Sequence, residues 1–575
     1  MKAKIYSLIT FCLIIAHSLS AGTITVSSTA DSGAGSLRQA IESASPNDKI
    51  VIPSDYVISL NSEIAIAKHL TIDGQGATVQ VAAPGVSAYR VFNIGLKTGS
   101  ETIFEIALEN LILKGGDLSS FITGLTENDN ANLANNSGAV LWIAKRVALT
   151  LKNTTLSGGT AYSGALVFCA DGIGVSWNVD NCRFENGVAK YQSAGIAFGK
   201  GASSTVFTNC IFRNNENLAT GTSVMQITDP VTLRNCQFLN NHAHGSARGS
   251  AAVATSGSAT GGQIIVDKCV FANNVSGDDP LLTGTDGGAG FLNQCADIRV
   301  LMTNNTFYNN KGWRGAAYFY GGRAIVINNT FAGNIGKRYG SAVSVGTNGV
   351  ATVTFINNIF AYNYDSQGGD VNIGGQNIID GANNLFGYFK DVDNLDTCGD
   401  HVAPVDSAIY INNTSLFKEY TTTSFGDLTD KTIPTWDAIK QIVPLAENSV
   451  ALGAGTPIYD PDFEVELLIP LDDQLGATRD FYHPTIGSFE NASGSAIKDF
   501  TMSQQKVIAQ NPAAGQLILN NALNVHKVQL IDCSGRTLVN VRPQGTISLA
   551  NVPAGFYVAR FETAGGVIVE KLLVK

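Results

Sequence analysis

A phenylalanine followed three residues later by asparagine recurs through the middle of the chain. It appears as FRNN at Phe212, FLNN at Phe238, FANN at Phe271, FYNN at Phe307, FAGN at Phe331 and FAYN at Phe360. Phe184 (FENG) and Leu156 (LSGG) are degenerate members, and successive anchors from Leu156 lie 28, 28, 26, 33, 36, 24 and 29 residues apart. A fixed motif at this period, with insertions of variable length, marks units that bury their apolar faces only by stacking on one another. The segments before the anchors (352–355, 325–327, 232–233) alternate like strands. Between anchors lie small-residue segments: SGAVLWI (137–143), SGALVF (163–168), AGIAF (194–198), SAAVA (250–254), GGAGF (287–291), RGAAYFY (314–320) and GSAVSV (340–345). Nothing in a unit has helical periodicity. A unit of about 25 residues with about three short strands is one coil of a right-handed parallel β-helix. A leucine-rich repeat would need its Leu-x-x-Leu-x-Leu frame, and a propeller blade about 40 residues.

The polar residues of the repeat sit where a core is expected. In VTFINNIFAYN (353–363), Asn357 and Asn358 interrupt the most apolar stretch. Two residues before the anchors stand Thr154, Cys182, Cys210, Cys236, Cys269, Asn305, Asn329 and Asn358. Equivalent positions of a solenoid stack about 4.8 Å apart. The alignment therefore predicts a ladder of four cysteines passing into three asparagines, beside a column formed by Phe212, Phe238, Phe271, Phe307, Phe331 and Phe360. Asparagine tolerates the left-handed backbone of a sharp corner, and its amide can bond the next rung. Neighbouring parallel strands orient their Cβ atoms alike, so the ladder cysteines are expected as buried free thiols.

The ends differ from the middle. MKAKIYSLITFCLIIAHSLSAG opens on Lys2 and Lys4, continues with an apolar run and ends in small residues, the pattern of a secretory signal peptide over 1–21 that takes Cys12 with it. No later stretch is long and apolar enough to span a bilayer. In GAGSLRQAIESA (33–44), Ser36 and Gln39 form a capping box, and Leu37, Ala40, Ile41 and Ala44 make one apolar face. Such a helix can cover the open end of a parallel solenoid. Residues 491–500 read as a linker. Beyond them, short alternating strands separated by Asn-Pro, Ser-Gly and Ala-Gly turns predict a small antiparallel β-sandwich of about seven strands over 501–575. The expected architecture is all-β, with a β-helix over 22–490 (N-terminal cap 22–53, closing segment about 395–490) followed by the sandwich.

Several of these segments resemble known families. TADSGAGSLRQAI, KIVI and LTIDGQGATV look like the cap and first coils of secreted bacterial β-helix proteins. The small-Gly-Ala-Val/Ile and Phe-x-x-Asn signals resemble the polymorphic outer-membrane-protein repeat of bacterial surface adhesins, and LGAGTP…DDQLGATRD…IGSFE (within 451–490) resembles the closing segment common in β-helix proteins. Asn511-Pro512-Ala513, Gly515, Asp532, Gly535-Arg536, the run from Pro553 to Val558 and the terminal Lys571-Leu572-Leu573-Val574-Lys575 resemble the type A C-terminal sorting domain of type IX secretion cargo. Ala509-Gln510 departs from that pattern, which carries aromatic-Pro there. The resemblance implies recognition of 501–575 by the type IX secretion machinery, export across a Gram-negative outer membrane, then removal of the domain and release or surface attachment.

Chemistry is sparsely marked. The net charge of −10, without a basic run, argues against nucleic acid. Eight cysteines follow Cys12 with no CxxC, which argues against a zinc knuckle. Asp278-Asp279 lacks the Gly-His-Gly and Arg-x-Lys companions of β-helix glycosidases, and no acidic cluster with a neighbouring base marks a lyase. Asp391, Asp393, Asp396 and Asp400 share one polar loop whose oxygen density suits calcium, though its spacing is not that of an EF-hand. No other cofactor is expected. In NHAHG (241–245), His242 and His244 face the same side of an extended segment, which suits metal binding or proton transfer, but with no third ligand in reach a surface loop is expected. His69, His401, His483 and His526 are isolated. The sequence thus points to a secreted or cell-surface binding module, adhesin-like, for glycans or proteins. A polysaccharide lyase or hydrolase on the same fold, or a structural envelope protein, are the other readings.

Overall fold

The computed structural model describes residues 21–387, 409–490 and 507–575, apart from short internal stretches such as 96–102, 125–132, 245–249, 278–286 and 412–419. Four parallel sheets run the length of the solenoid. Sheet I has 13 strands, from Thr23–Thr25 to Ile378–Ala382, and sheet II has 13, from Val57–Leu60 to Ile409–Ile411. Sheet III has eight, from Thr160–Ala161 to Tyr364–Asp365, and sheet IV has 11, from Ile64–Ile66 to Val371–Ile373. One coil visits them in turn, as in Val231–Arg234, Gln237–Leu239, His242–Ala243 and Val253–Thr255. The coils between Thr160 and Asp365 therefore have four sides where about three strands were expected. The strands of sheet III are only two residues long, too short to show alternation in sequence.

Side chains explain the cross-section. In Val147–Lys152 the odd residues point inward and the even ones outward, so Val147, Leu149 and Leu151 join the common core. The corners are set by left-handed residues. Asn181, Asn209, Asn235, Asn304, Asn328 and Asn357 have φ between 51° and 57° where sheet I turns into sheet II. Asn186, Asn214, Asn240, Asn273 and Asn309 do the same between sheets II and III. The small-residue segments are corners before they are strands. Gly138, Gly164 and Gly315 have φ of 68°, 52° and 65°, and a Cβ on Gly315 would lie 2.1 Å from the Ser341 carbonyl oxygen. Only glycine allows coils to approach that closely.

The N-terminal end is closed by helix α1 (Leu37–Ser43), whose Leu37, Ala40 and Ile41 are buried in the solenoid core. Ser36 Oγ accepts from the Gln39 amide at 3.2 Å, and Gln39 Oε1 accepts from Gly35 at 2.8 Å. Two further helical turns, Ser119–Phe121 and Leu133–Asn136, were not expected and lie in an insertion between coils.

The described residues between 436 and 490 lie along the outside of sheet II as a strap. Trp436 stacks on Tyr308 with centroids 4.9 Å apart, and Val443, Leu445, Ala451 and Ile486 pack on the outward residues Val270, Ala272, Ala332 and Ile359. Burial pushes the Tyr308 hydroxyl up to about 12. The final segment forms a four-stranded antiparallel sheet (Thr537–Val541, Val525–Ile531, Gly555–Thr563, Gly566–Val574) and a two-stranded one (Gln516–Leu517, Ile547–Ser548) around its own core. Six strands are thus seen among the described residues, against about seven expected.

Candidate functional site

The two predicted columns lie side by side inside the solenoid. Phe184, Phe212, Phe238, Phe271, Phe307, Phe331 and Phe360 stack with centroids 4.5 to 5.1 Å apart and rings within 15° of parallel. Beside them Cys182, Cys210, Cys236 and Cys269 are fully buried and unbridged, followed by buried Asn305, Asn329 and Asn358. Each asparagine rung bonds twice to the next. Asn329 Oδ1 accepts from both the backbone N–H and the Nδ2 of Asn305 at 2.9 Å, while Asn305 Nδ2 also donates to the Val266 carbonyl at 2.8 Å. Cys236 makes two of these three connections through sulfur. Cys236 Sγ donates to the Phe207 carbonyl at 3.5 Å, and the Cys236 amide donates to Cys269 Sγ at 3.4 Å. Burial pushes the Cys236 thiol far up, which keeps it protonated. A second asparagine ladder, Asn215, Asn241, Asn274, Asn310, Asn334 and Asn363, supports the opposite corner.

Outward carboxylates of sheets I and II are held by partners on neighbouring coils. Asp73 pairs with Lys49 at 2.9 Å and accepts from Asn110. Glu185 pairs with Arg213 at 2.6 Å, and Asp267 accepts from Thr303 at 2.7 Å. In the strap, Arg479 enters the protein interior. It meets Glu490 at 3.2 Å and donates to Asn304 Oδ1, the Thr485 carbonyl and the Gly487 carbonyl at 2.8 to 3.0 Å. Asp473 accepts from the amides of Leu475, Ala477 and Glu490 at 2.8 Å. Arg479 thus docks the strap on Asn304 and Asp472 docks it on Lys268, while Asp473 and Glu490 brace the strap from within.

Sheet III carries a different grouping. Glu216 and His242 are paired in register on adjacent coils, and His244 follows two residues on. The His242 and His244 rings stack with centroids 3.7 Å apart and 30° between planes. His244 Nε2 contacts Glu216 Oε1, and one ligand atom from each of the three residues lies within 4.8 Å of the others. All three side chains are half-buried, and this is the one such grouping of three among the described residues. His242 thus lies in a strand of sheet III in place of the expected surface loop, and the carboxylate beside the histidine pair is that of Glu216, 26 residues upstream. The signal was present in the repeat: Glu216 and His242 each stand four residues after their anchor, Phe212 and Phe238. Counting outward along the coil from the anchors would have found it.

Comparison with known proteins identifies the two regions. A family model described as "Right handed beta helix region" matches residues 122–296, and one described as "Secretion system C-terminal sorting domain" matches 510–575. The chain is a right-handed β-helix protein with a C-terminal secretion sorting domain. It is a secreted or cell-surface protein, and its tail addresses it to the secretion machinery. No curated protein matches this sorted β-helix protein. Among solved structures, "Crystal structure of pectate lyase Pel9A" is similar at 13% identity and a TM-score of 0.33, covering 82% of this chain and 97% of that one.

Other candidate residues of the β-helix protein are placed less fully. Asp391, Asp393, Asp396 and Asp400 lie outside the described residues, as do Asp278-Asp279, His401, the signal segment 1–20 and the linker 491–500. His69 Nδ1 accepts from the Glu105 amide at 3.2 Å. No helix among the described residues is long and apolar enough to cross a membrane.

Proposed function

We propose that this exported β-helix protein is a non-catalytic, adhesin-like binding module at the exterior of a Gram-negative cell, meeting a glycan or a protein along one edge of the solenoid. The observation that carries this reading is a track of exposed corner amides between sheets I and II. Asn153, Asn181, Asn209 and Asn235 are all exposed, and they repeat once per coil, about 4.8 Å apart. Asn153 Nδ2 donates to Asn110 and Asn181 Nδ2 to Asn153, both at 2.8 Å; Asn235 Nδ2 donates to Asn209 at 2.6 Å. These bonds fix the amide planes. Each amide still has a second N–H or a second oxygen lone pair for a ligand. A rigid, pre-oriented polar row loses little entropy on binding. Among the described residues the exposed large apolar side chains include one aromatic, Phe121, so recognition along this edge runs through hydrogen bonds in place of ring stacking.

The test is incubation of the exported chain with a panel of uronate-containing and neutral polysaccharides and surface proteins. Retention of one ligand without turnover is expected, and the double variant Asn181→Gly/Asn209→Gly, which keeps the left-handed corner, weakens it. Turnover of any polysaccharide that disappears with a carboxylate variant would replace this reading by the lyase or hydrolase one.

A further inference from the structure

We propose that Glu216, His242 and His244 form a site for one divalent transition-metal ion of the zinc class. Three observations converge. The ligand atoms lie within 4.8 Å of one another. A zinc-type ion bonds nitrogen and oxygen at about 2.0–2.2 Å, which sets its ligand atoms about 3.3–3.6 Å apart in tetrahedral geometry, so small side-chain rotations close the site. The scaffold is stiff. The His242 amide donates to the Asn215 carbonyl and the His244 amide to the Asn217 carbonyl, both at 2.9 Å, while the intervening Ala243 is buried and Asn241 is locked in its ladder.

The third observation is the second imidazole. His242 stacks on His244 with centroids 3.7 Å apart, so two imidazoles and the Glu216 carboxylate share one small volume. Two imidazoles and one carboxylate favour zinc-like ions over calcium, and three protein ligands leave a fourth position for water or an external donor. The site faces out of sheet III, a side of the solenoid distinct from the amide track.

The experiment uses the chain over 22–575 with its sorting domain retained and no affinity tag, its accessible thiols alkylated beforehand. Zinc is titrated by calorimetry and cobalt(II) by visible absorption. The expected result is one zinc equivalent and cobalt d–d bands. Glu216→Gln and His244→Ala are each expected to weaken zinc at least about tenfold, while His526→Ala in the sorting domain leaves it unchanged. Glu216→Gln is near-isosteric, and an unchanged circular dichroism melt confirms that it folds. Absence of saturable binding, or binding that survives both Glu216→Gln and His244→Ala, overturns the proposal.

Discussion

The coils carrying Cys182, Cys210, Cys236 and Cys269 and those carrying Asn305, Asn329 and Asn358 are built on one plan and finished differently. Both stack the same phenylalanine column, at 4.8 Å in the first group and 4.6 to 5.1 Å in the second. The rung beside it changes from a thiol that accepts at 3.4 Å to an amide that accepts at 2.9 Å. The outer corner changes with it. Asn181, Asn209 and Asn235 are exposed, whereas Asn304, Asn328 and Asn357 are fully buried beneath the strap. Asn328 donates to the Thr485 carbonyl, and Asn357 exchanges bonds with Thr456 at 2.8 and 2.9 Å. One residue type at one corner thus serves as solvent-facing track in one half and as docking point in the other. Position along the solenoid, and not the local motif, decides which.

Breaking the strap should have the largest effect. Arg479→Ala leaves Glu490 in a buried setting without its cation, a loss of about 3–5 kcal/mol. Hydrogen exchange is expected to accelerate across 436–490 and the outer strands of sheet II, with the coils before Cys269 unchanged. Uniform acceleration along the whole solenoid would deny that the two halves are distinct.

Substitution within the rungs sharpens the contrast. Asn329→Ala removes an acceptor from the Asn305 amide and two donors from the Met302 and Ile327 carbonyls, leaving buried polar groups unmet at about 2–4 kcal/mol. Cys236→Ala removes weaker sulfur bonds and one small buried atom, about 1–1.5 kcal/mol. Urea denaturation of the two variants measures the difference, and equal losses would mean that thiol and amide rungs contribute alike.

The corners give the smallest effects. Asn209→Gly keeps the positive φ and loses two amide contacts, its own to Asp180 and the one from Asn235; both are solvent-exposed, so its melting temperature is expected within about 1 °C of the parent. Asn357→Gly keeps the same backbone and loses both strap bonds, and is expected to melt measurably lower. Indistinguishable melts would remove the docking role assigned to the buried corner.

The repeat made the solenoid legible because stacking turns sequence register into spatial register. Phe212, Cys210 and Asn215 could be placed by counting from the anchor. The same counting reaches Glu216 and His242, yet the pair is visible only when two coils are laid side by side, since nothing within NHAHG carries a carboxylate. The strap was legible as a segment but not as a location. Arg479 bonds Asn304 across 175 residues, and its own neighbourhood in sequence has little strand alternation to say which face it covers. Sheet III was missed because a two-residue strand has no period.

The account rests most heavily on the cysteine rung being the thiol counterpart of the asparagine rung. Differential alkylation with peptide mapping, without reductant, tests it directly. Cys182, Cys210, Cys236 and Cys269 are expected to resist alkylation in the native protein, since they are fully buried, and all four to react once the chain is denatured. Recovery of disulfide-linked peptides joining any of the four would contradict the ladder as described.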